Sequence, residues 1–286
     1  MTLRIRGKAL PDTSLVMAVV NRTPDSFFDK GLTFDLAAAV DRVDQVVEEG
    51  AHIVDIGGVK AAPGEDVPAD EEARRVVEVV SAVRERHPDV VLSVDTYRAV
   101  VARAALEAGA DLLNDAWERP EPATVEVAAE LGAGIVCTHA GHLPPRTRPH
   151  RVAYPDLVGD VVATLTRLAE QAVAAGVPRE GVLIDPGHDF GKNSRHSLQL
   201  TARTGELVAT GWPVLMAMSR KDFVGEVLDL LPDERLEGTL AATALSAWMG
   251  ARVFRVHDVT ATLRVLRMVD AISGRVAPAV NVRGLA

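Results

Sequence analysis

The hydrophobic pattern of the chain repeats one kind of unit along its whole length. Short runs rich in Val, Ile and Leu alternate with longer segments in which apolar residues recur at helical spacing. This alternation predicts βα units around a parallel sheet. The predicted strands are Leu15–Val20, His52–Ile56, Val91–Val94, Leu112–Asn114, Gly134–Thr138, Val182–Asp185, Val214–Ala217 and Val253–Val256. The predicted helices are Leu36–Glu49, Asp70–Arg86, Tyr97–Ala108, Ala123–Leu131, Leu157–Ala175, Ser197–Ala209, Leu236–Trp248 and Ala261–Ile272.

Eight such units favour a closed barrel over an open sheet. A length of 286 residues would suit two domains of about 150 residues, but one (β/α)₈ barrel commonly takes about 250. The sequence therefore predicts an α/β fold with a single TIM barrel over residues 14–286. Residues 1–13 lack a helical partner, and we expect them to form an extended cover over the N-terminal end of the barrel.

Composition limits the partners and the compartment. Hydrophobic residues make up 48% of the chain and charged residues 25%, which is typical of a folded protein. The formal net charge of −9 gives no overall attraction to nucleic acid or to an anionic membrane. Cys137 is the single cysteine, so an intrachain disulfide is excluded. No apolar run is long enough to cross a bilayer, and we expect a cytoplasmic protein.

Polar side chains follow every predicted strand, at the end where barrel enzymes place their reacting groups. These residues are Asn21, Asp55, Asp95, Asn114, Asp115, Thr138, His139, Asp185, Ser219, Arg220, Lys221, Arg255 and His257. Asp95, Asn114 and Asp185 can converge in one apolar mouth, where carboxylates and an amide would pair with the polar edge of a nitrogen heterocycle. Arg255 and His257 share one side of the last strand, so with Lys221 they predict cationic donors for a diphosphate at the rim.

Two of these positions have a simpler explanation that the sequence leaves open. Asp55 taken alone is better explained as a soluble strand end than as a ligand contact. Arg255 is equally well explained by an ion pair inside the barrel with Asp55 or Asp185.

Several short motifs occur in sequence along the chain. They are Asn21 with Thr23-Pro-Asp-Ser-Phe, Asp55-Ile-Gly-Gly with Pro63-Gly, Ser93-Val-Asp-Thr-Tyr, Asn114-Asp, His139, Asp185-Pro-Gly with Phe190-Gly-Lys, Ser219-Arg-Lys, Gly238-Thr-Leu-Ala and Arg255-Val-His-Asp-Val. In this order they resemble the dihydropteroate synthase family from about residue 14 to the final helix.

The resemblance implies a TIM-barrel transferase of folate biosynthesis. Such an enzyme joins 6-hydroxymethyl-7,8-dihydropterin diphosphate to p-aminobenzoate and releases diphosphate with the help of Mg²⁺. Family pterin contacts carry over to Asp95, Asn114, Asp185 and Lys221, of which Asp95, Asp185 and Lys221 are the expected catalytic residues. Family diphosphate contacts carry over to Asn21, Arg255 and His257, with Asn21 also near the metal. A homodimer built on the later helices is implied as well.

Departures from the family pattern fall mostly on the amine side. Where the family usually has Glu-Ser-Thr-Arg-Pro-Gly, this chain has Val59-Lys-Ala-Ala-Pro-Gly, so Ala61 and Ala62 replace a polar clamp. Asp222 stands where Ser or Arg is common near the p-aminobenzoate carboxylate, and like-charge repulsion is expected there. Asp189 replaces a glycine, and Thr138 and Ala140 replace apolar residues of the pterin pocket. The pattern also resembles a diverged second copy of the synthase found in some actinobacteria.

Three functions follow from these observations. The first is an active dihydropteroate synthase, favoured by the retained set from Asn21 to His257. The second is a paralogue that binds pterin diphosphate with little or no synthase activity, or that acts on another amine, favoured by Ala61, Ala62 and Asp222. The third, ranked last, is a corrinoid-type pterin methyltransferase, which would not need the Arg255/His257 pair.

Overall fold

The computed structural model describes residues 2–23, 31–147, 153–280 and 282–283, and the Pro-Asp-Ser-Phe part of the first motif lies outside them. Eight parallel strands form one sheet that curls into a barrel, which confirms the predicted fold class. The strands, numbered after a short antiparallel pair β1 (Arg4–Ile5) and β2 (Lys8–Ala9), are β3 (Leu15–Asn21), β4 (Ile53–Gly57), β5 (Val91–Asp95), β6 (Leu112–Asp115), β7 (Gly134–Thr138), β8 (Val182–Asp185), β9 (Leu215–Met216) and β10 (Val253–Val256).

The barrel closes between β8 and β9, and β9 is the shortest of its strands. Strand neighbours run in the order β8-β7-β6-β5-β4-β3-β10-β9. A bridge between Ile184 and Val214 joins β8 to the segment leading into β9, and the Ile184 N–H donates to the Pro213 carbonyl over 3.0 Å. The predicted strand Val214–Ala217 is therefore regular only at Leu215–Met216.

Ten α-helices are present in the described ranges. They are α1 (Leu36–Glu48), α2 (Ala69–Arg86), α3 (Ala99–Glu107), α4 (Ala123–Glu130), α5 (Leu157–Ala174), α6 (Ser194–Ala202), α7 (Thr204–Val208), α8 (Asp222–Leu228), α9 (Leu236–Trp248) and α10 (Val259–Ile272). Within these ranges, none of the helices has the length and apolar character needed to cross a membrane.

The predicted helix Ser197–Ala209 is wrong at both its start and its centre. The helix begins earlier because Asn193 and His196 form a reciprocal capping box, in which the Asn193 side chain accepts the His196 N–H over 2.9 Å. It breaks at Arg203, whose backbone leaves the helical conformation (φ −111°, ψ 22°) before α7 resumes.

The strands alternate between two apolar layers. One set of side chains, including Val16, Val54 and Ile56, belongs to the core cluster shared with the surrounding helices. The other set belongs to a second cluster made of Leu3, Ile5, Leu10, Leu15, Met17, Ile53, Val91, Leu112, Val136, Leu183, Leu215, Ala217 and Val253. Because residues of this second cluster come from every barrel strand and from the β1–β2 hairpin, the hairpin packs beneath the barrel interior at its N-terminal end.

Candidate active site at the barrel mouth

A polar layer lies directly above the apolar filling of the barrel. Side chains two residues apart on a strand point to the same side. Each inward apolar residue of β4, β6, β8 and β10 is therefore followed, two positions later, by a polar one. These polar residues are Asp55, Asn114, Asp185 and Arg255, and Asp95 occupies the equivalent place at the end of β5 after Ser93. The expected convergence of strand-end groups is thus a direct result of strand geometry.

Asp55 is the centre of this layer. Its carboxylate is fully buried and accepts hydrogen bonds from Ser93 Oγ (2.6 Å), Asn114 Nδ2 (3.0 Å) and Arg255 Nε (2.6 Å). Arg255 also donates from Nη2 to Asp95 Oδ2 over 3.2 Å. The ion pair considered for Arg255 is therefore present with Asp55, and its second partner is Asp95 rather than Asp185.

Burial controls the protonation of the other two carboxylates. Loss of solvation raises the pKa of Asp95 to about 7, with Asp55 and Glu72 adding to the shift and Arg255 opposing it. Burial also raises the pKa of Asp185, against the effect of the Lys221 charge. Asp185 keeps one backbone donor, the Gly187 N–H at 2.7 Å. A carboxyl group that exchanges a proton near neutrality suits a heterocycle presenting both donors and acceptors.

Lys221 reaches the same mouth from the segment after β9. Its Nζ donates to the His188 carbonyl over 2.6 Å and lies 4.7 Å from the centroid of the Phe190 ring. Charge interactions link it to Asp185 and Asp189. The structure therefore brings the four predicted pterin contacts together, with Lys221 on the side nearest Phe190.

A second lysine, Lys192, organises the loop that carries these contacts. It is buried, and its Nζ lies 2.8 Å from His139 Nδ1, 3.0 Å from His139 O, 3.1 Å from Gly187 O and 2.8 Å from Phe190 O. His139 Nε2 in turn lies 2.9 Å from Asp160 Oδ2. Burial lowers the pKa of Lys192 to about 7 and that of His139 to about 4.

Close packing in this loop requires a glycine at position 187. The φ of Gly187 is +66°, and a Cβ on it would lie 2.0 Å from the His139 carbonyl oxygen. Lys192 and Gly187 lie inside two of the motifs, but the sequence alone indicates no role for them, because their contacts join segments that are distant in the chain.

His257 follows β10 and contacts Ser219. Its backbone N–H donates to Ser219 Oγ over 3.2 Å, and its Nδ1 lies 3.0 Å from the same oxygen. Burial, with Arg255 adding to it, lowers the pKa of His257 to about 3. In the absence of a ligand this shift favours a neutral imidazole, which offers a hydrogen-bond donor instead of the cationic donor that the sequence predicts.

Asn21 closes the set at the end of β3. Its Oδ1 is 3.3 Å from the position that a Cβ on Gly57 would occupy, so the glycine leaves room for this side chain. In the described ranges, no group of three or more His, Cys, Asp or Glu side chains is arranged to hold a metal ion.

One side of the mouth, next to Ala61, is lined by aromatic side chains. Trp117 and Phe190 meet edge to face with ring centroids 4.7 Å apart, and the cluster around them includes Ala61, Tyr97, Ala116 and Ala140. Arg146 binds the loop of residues 59–65 beside this cluster, since its guanidinium donates to Ala62 O (3.4 Å) and Glu65 O (2.7 Å). Ala61 is therefore part of an apolar wall, and the segment after it is held through its backbone carbonyls.

The Asp222 carboxylate, which was expected to repel an acceptor, is exposed and ion-paired. The Asp222 side chain is 82% exposed and pairs with Arg235 Nη1 at 3.1 Å. Asp189 is the neighbouring carboxylate whose charge acts on Lys221, and its Oδ2 accepts the backbone N–H of Asp222 over 2.8 Å. Solvent and Arg235 screen the Asp222 charge, which weakens the repulsion predicted there.

Comparisons with known proteins identify the family of the chain. The family model described as pterin binding enzyme matches residues 17–257. A protein of Mycobacterium tuberculosis (strain ATCC 25618 / H37Rv) named inactive dihydropteroate synthase 2 is 58% identical over 279 residues, covering 96% of this chain and 88% of that protein. The dihydropteroate synthase of Haemophilus influenzae is 40% identical over 257 residues, covering 90% and 93%.

Among solved structures, the dihydropteroate synthase of Yersinia pestis with a sulfonamide drug complex superposes with a TM-score of 0.91 at 38% identity, covering 96% of this chain and 100% of that one. The TIM-barrel fold is shared. The chain therefore belongs to the pterin-binding enzyme family and is of the dihydropteroate synthase type.

Proposed function

We propose that this protein binds 6-hydroxymethyl-7,8-dihydropterin diphosphate as a dihydropteroate synthase does and transfers the pterin poorly to p-aminobenzoate. The observation that carries the proposal is the contrast between the two halves of the mouth. Asp95, Asn114 and Asp185 form a polar layer with Arg255, whereas the amine half has Ala61 and Ala62 where the family has a polar clamp.

The pterin ring would pair with the polar layer. Asp185 accepts ring N–H donors, Asn114 offers an amide to the same edge, and Asp95 can carry or release a proton there because its pKa is about 7. Lys221 faces this group from the Phe190 side. A ring bound here excludes water from the carboxylates, which strengthens each of these interactions.

The chemistry of transfer needs no enzyme nucleophile. The bond between the pterin methylene carbon and the diphosphate oxygen breaks, and its electron pair leaves with diphosphate. The amine nitrogen then forms a bond to that carbon and loses a proton. Asp95 and Asp185 stabilise the positive charge that develops on the pterin, while Arg255 stabilises the departing anion.

Arg255 is held ready for the diphosphate by Asp55. Its Nε contact with Asp55 is short at 2.6 Å, while its Nη2 contact with Asp95 is longer at 3.2 Å. A diphosphate would therefore replace the Asp95 contact and leave the Asp55 contact intact. His257, neutral in the free protein, adds a hydrogen-bond donor, and a bound dianion would raise its pKa.

The donors present fit Mg²⁺ bound together with its substrate. Mg²⁺ prefers oxygen ligands, keeps several waters and is often held by one or two protein groups plus phosphate oxygens. Asn21 supplies one such oxygen at the end of β3. When bound, the ion would neutralise charge on the leaving diphosphate.

We propose a homodimer built on the last two long helices. Four large apolar side chains there are exposed, namely Leu245 (60%), Trp248 (58%), Met268 (61%) and Ile272 (60%). They lie on α9 and α10, which pack against each other. Exposed apolar groups gathered on one pair of helices are typical of a subunit interface.

A diphosphate-release assay tests the proposed function. The purified protein is given pterin diphosphate and Mg²⁺, with and without p-aminobenzoate, beside the H. influenzae synthase in the same buffer. We expect release stimulated by p-aminobenzoate to be at least about 100-fold slower than in that synthase, a barrier difference of about 2.7 kcal/mol. Equal rates would contradict weak transfer.

A further inference from the structure

Asp189 has a backbone conformation that a side chain rarely adopts. Its φ is +66°, in the left-handed region that favours glycine. The dihydropteroate synthase pattern that this chain resembles has a glycine at this position, so the Asp189 carboxylate is a departure from that pattern. Asp and Asn are the side chains best suited to this region, because they form local hydrogen bonds that offset its cost.

The carboxylate of Asp189 is bound on both oxygens. Its Oδ1 accepts from Ser197 Oγ over 3.1 Å. Its Oδ2 accepts the backbone N–H of Asp222 at 2.8 Å and that of Phe223 at 3.4 Å. The loop after β8 is thereby tied to the residues directly after Lys221.

This arrangement changes the charge that an incoming amine meets. Lys221 already faces Asp185, and Asp189 adds a second carboxylate beside it. Two backbone donors next to Lys221 are also taken by Asp189, so they are not available to a carboxylate on a ligand. Asp222 does not contribute in the same way, because it is exposed and paired with Arg235.

The rest of this side offers rings rather than charges. Phe190 lies beneath Lys221, and Trp117 packs on Phe190 edge to face. Ala61 and Tyr97 extend the same apolar cluster. A flat aromatic group would bury well here, while a carboxylate on its far end would meet Asp189.

We propose that Asp189 determines acceptor specificity, so that the site prefers an uncharged aromatic amine over one bearing a carboxylate. The inference rests on the proposed function, since it concerns the second substrate of the same reaction. The Asp189 carboxylate accepts the backbone N–H groups of Asp222 and Phe223, and so occupies donors that a ligand carboxylate would otherwise use.

Two amines of nearly equal shape separate charge from size. 4-Aminobenzoate carries a carboxylate, and 4-aminobenzamide carries a neutral amide in its place. Each amine is titrated calorimetrically into protein whose pterin half is filled by 6-hydroxymethylpterin and inorganic diphosphate with Mg²⁺. Because the pterin and the diphosphate are not bonded to each other, no transfer to the amine can take place. We expect the amide to bind at least about ten-fold more tightly, which corresponds to about 1.4 kcal/mol.

Two substitutions of Asp189 test its role. Asp189→Asn keeps the size and an acceptor oxygen, and Asp189→Gly relieves the left-handed backbone. Both should tighten 4-aminobenzoate about ten-fold and change 4-aminobenzamide less than two-fold. Asp229→Asn is the matched control, since Asp229 is an exposed carboxylate at the other end of α8 with a φ of +56°. It should leave both affinities unchanged.

The outcomes distinguish this inference from the proposed function. Equal binding of the two amines by the parent protein would overturn the inference, and so would Asp189 variants that weaken both amines alike, because Asp189 would then only support α8. Both results leave the proposed function standing if the pterin and diphosphate still bind. Failure of the pterin and diphosphate to bind would contradict the proposed function and the inference together.

Discussion

Arg255 Nε lies 2.6 Å from Asp55 Oδ2 in the centre of the barrel mouth, and this contact crosses from β10 over β3 to β4. Asp55 is fully buried and is held in place by Ser93 and Asn114. The guanidinium is therefore oriented before any ligand arrives. A preorganised donor loses little entropy when it meets an anion, so this pair is the basis of the diphosphate site.

Replacing Arg255 with lysine should weaken diphosphate binding although the charge is kept. Lysine cannot hold Asp55 and present a second planar donor at the same time. We expect the affinity for inorganic diphosphate with Mg²⁺, measured by calorimetry, to fall about ten-fold or more. Arg103→Lys is the control, because Arg103 lies on an exposed face and pairs with Glu130. Equal affinity of the parent and the Arg255 variant would remove Arg255 from the site.

Asp185→Asn should weaken pterin binding without unfolding the barrel. The substitution removes a charged acceptor that serves ring N–H donors, at a cost of roughly 1.5–3 kcal/mol for a charge-assisted bond. This corresponds to an affinity loss of about 10- to 150-fold, measured by titration with 6-hydroxymethylpterin. Asp12→Asn, at a carboxylate that is 86% exposed, should change nothing. An Asp185 variant with parental affinity would show that the ring binds elsewhere.

His257 should make the folded state less stable in acid. Its pKa is about 3 in the folded protein and 6.5 in an ordinary environment. Between these values the unfolded chain holds the proton and the folded protein does not, so this contribution to stability rises with pH from about 3 to about 6.5. His257→Asn removes it, and the variant should therefore gain stability relative to the parent as the pH falls from 7 to 4.5.

Urea unfolding of both proteins at the two pH values checks this prediction. The comparison between variant and parent is essential, because Asp95 and Asp115, with pKa values raised to about 7 and about 6, contribute in the opposite direction over the same range. A difference between variant and parent that does not depend on pH would show that His257 is not held neutral by burial.

Trp248→Glu should separate the proposed homodimer into monomers. A charge placed within the exposed apolar face of α9 and α10 would have to be buried without a partner. Light scattering after gel filtration should give the mass of two chains for the parent and of one for the variant. Val100→Glu, on an exposed apolar residue of α3, should keep the parental mass. A monomeric parent would exclude this interface.

Much of the site follows from the sequence because it depends on strand periodicity. Once β4, β6, β8 and β10 are placed, Asp55, Asn114, Asp185 and Arg255 must share the inward face. Ser93 could have been found in the same way, since it lies two residues before Asp95. The pairing of Arg255 with Asp95 instead of Asp185 was not predictable, because it depends on the spacing of strands around the closed barrel.

Contacts between distant loops account for what the sequence did not show. Helix α8 has only seven residues, and one carboxylate that binds its first N–H groups comes from Asp189, 33 positions earlier in the chain. Burial that lowers the pKa of His257 arises from the complete fold rather than from neighbouring residues. Arg235, which pairs with Asp222, lies beyond the end of α8, and the two residues meet only because the chain reverses direction after that helix.

Calorimetric titration of the purified protein with 6-hydroxymethyl-7,8-dihydropterin diphosphate and Mg²⁺ tests the central claim most directly. We predict saturable binding of one ligand per chain, with the affinity reduced at least about ten-fold in both Asp185→Asn and Arg255→Lys. Titration without a saturable signal, or with the same affinity in all three proteins, would contradict the assignment of the barrel mouth as a pterin diphosphate site.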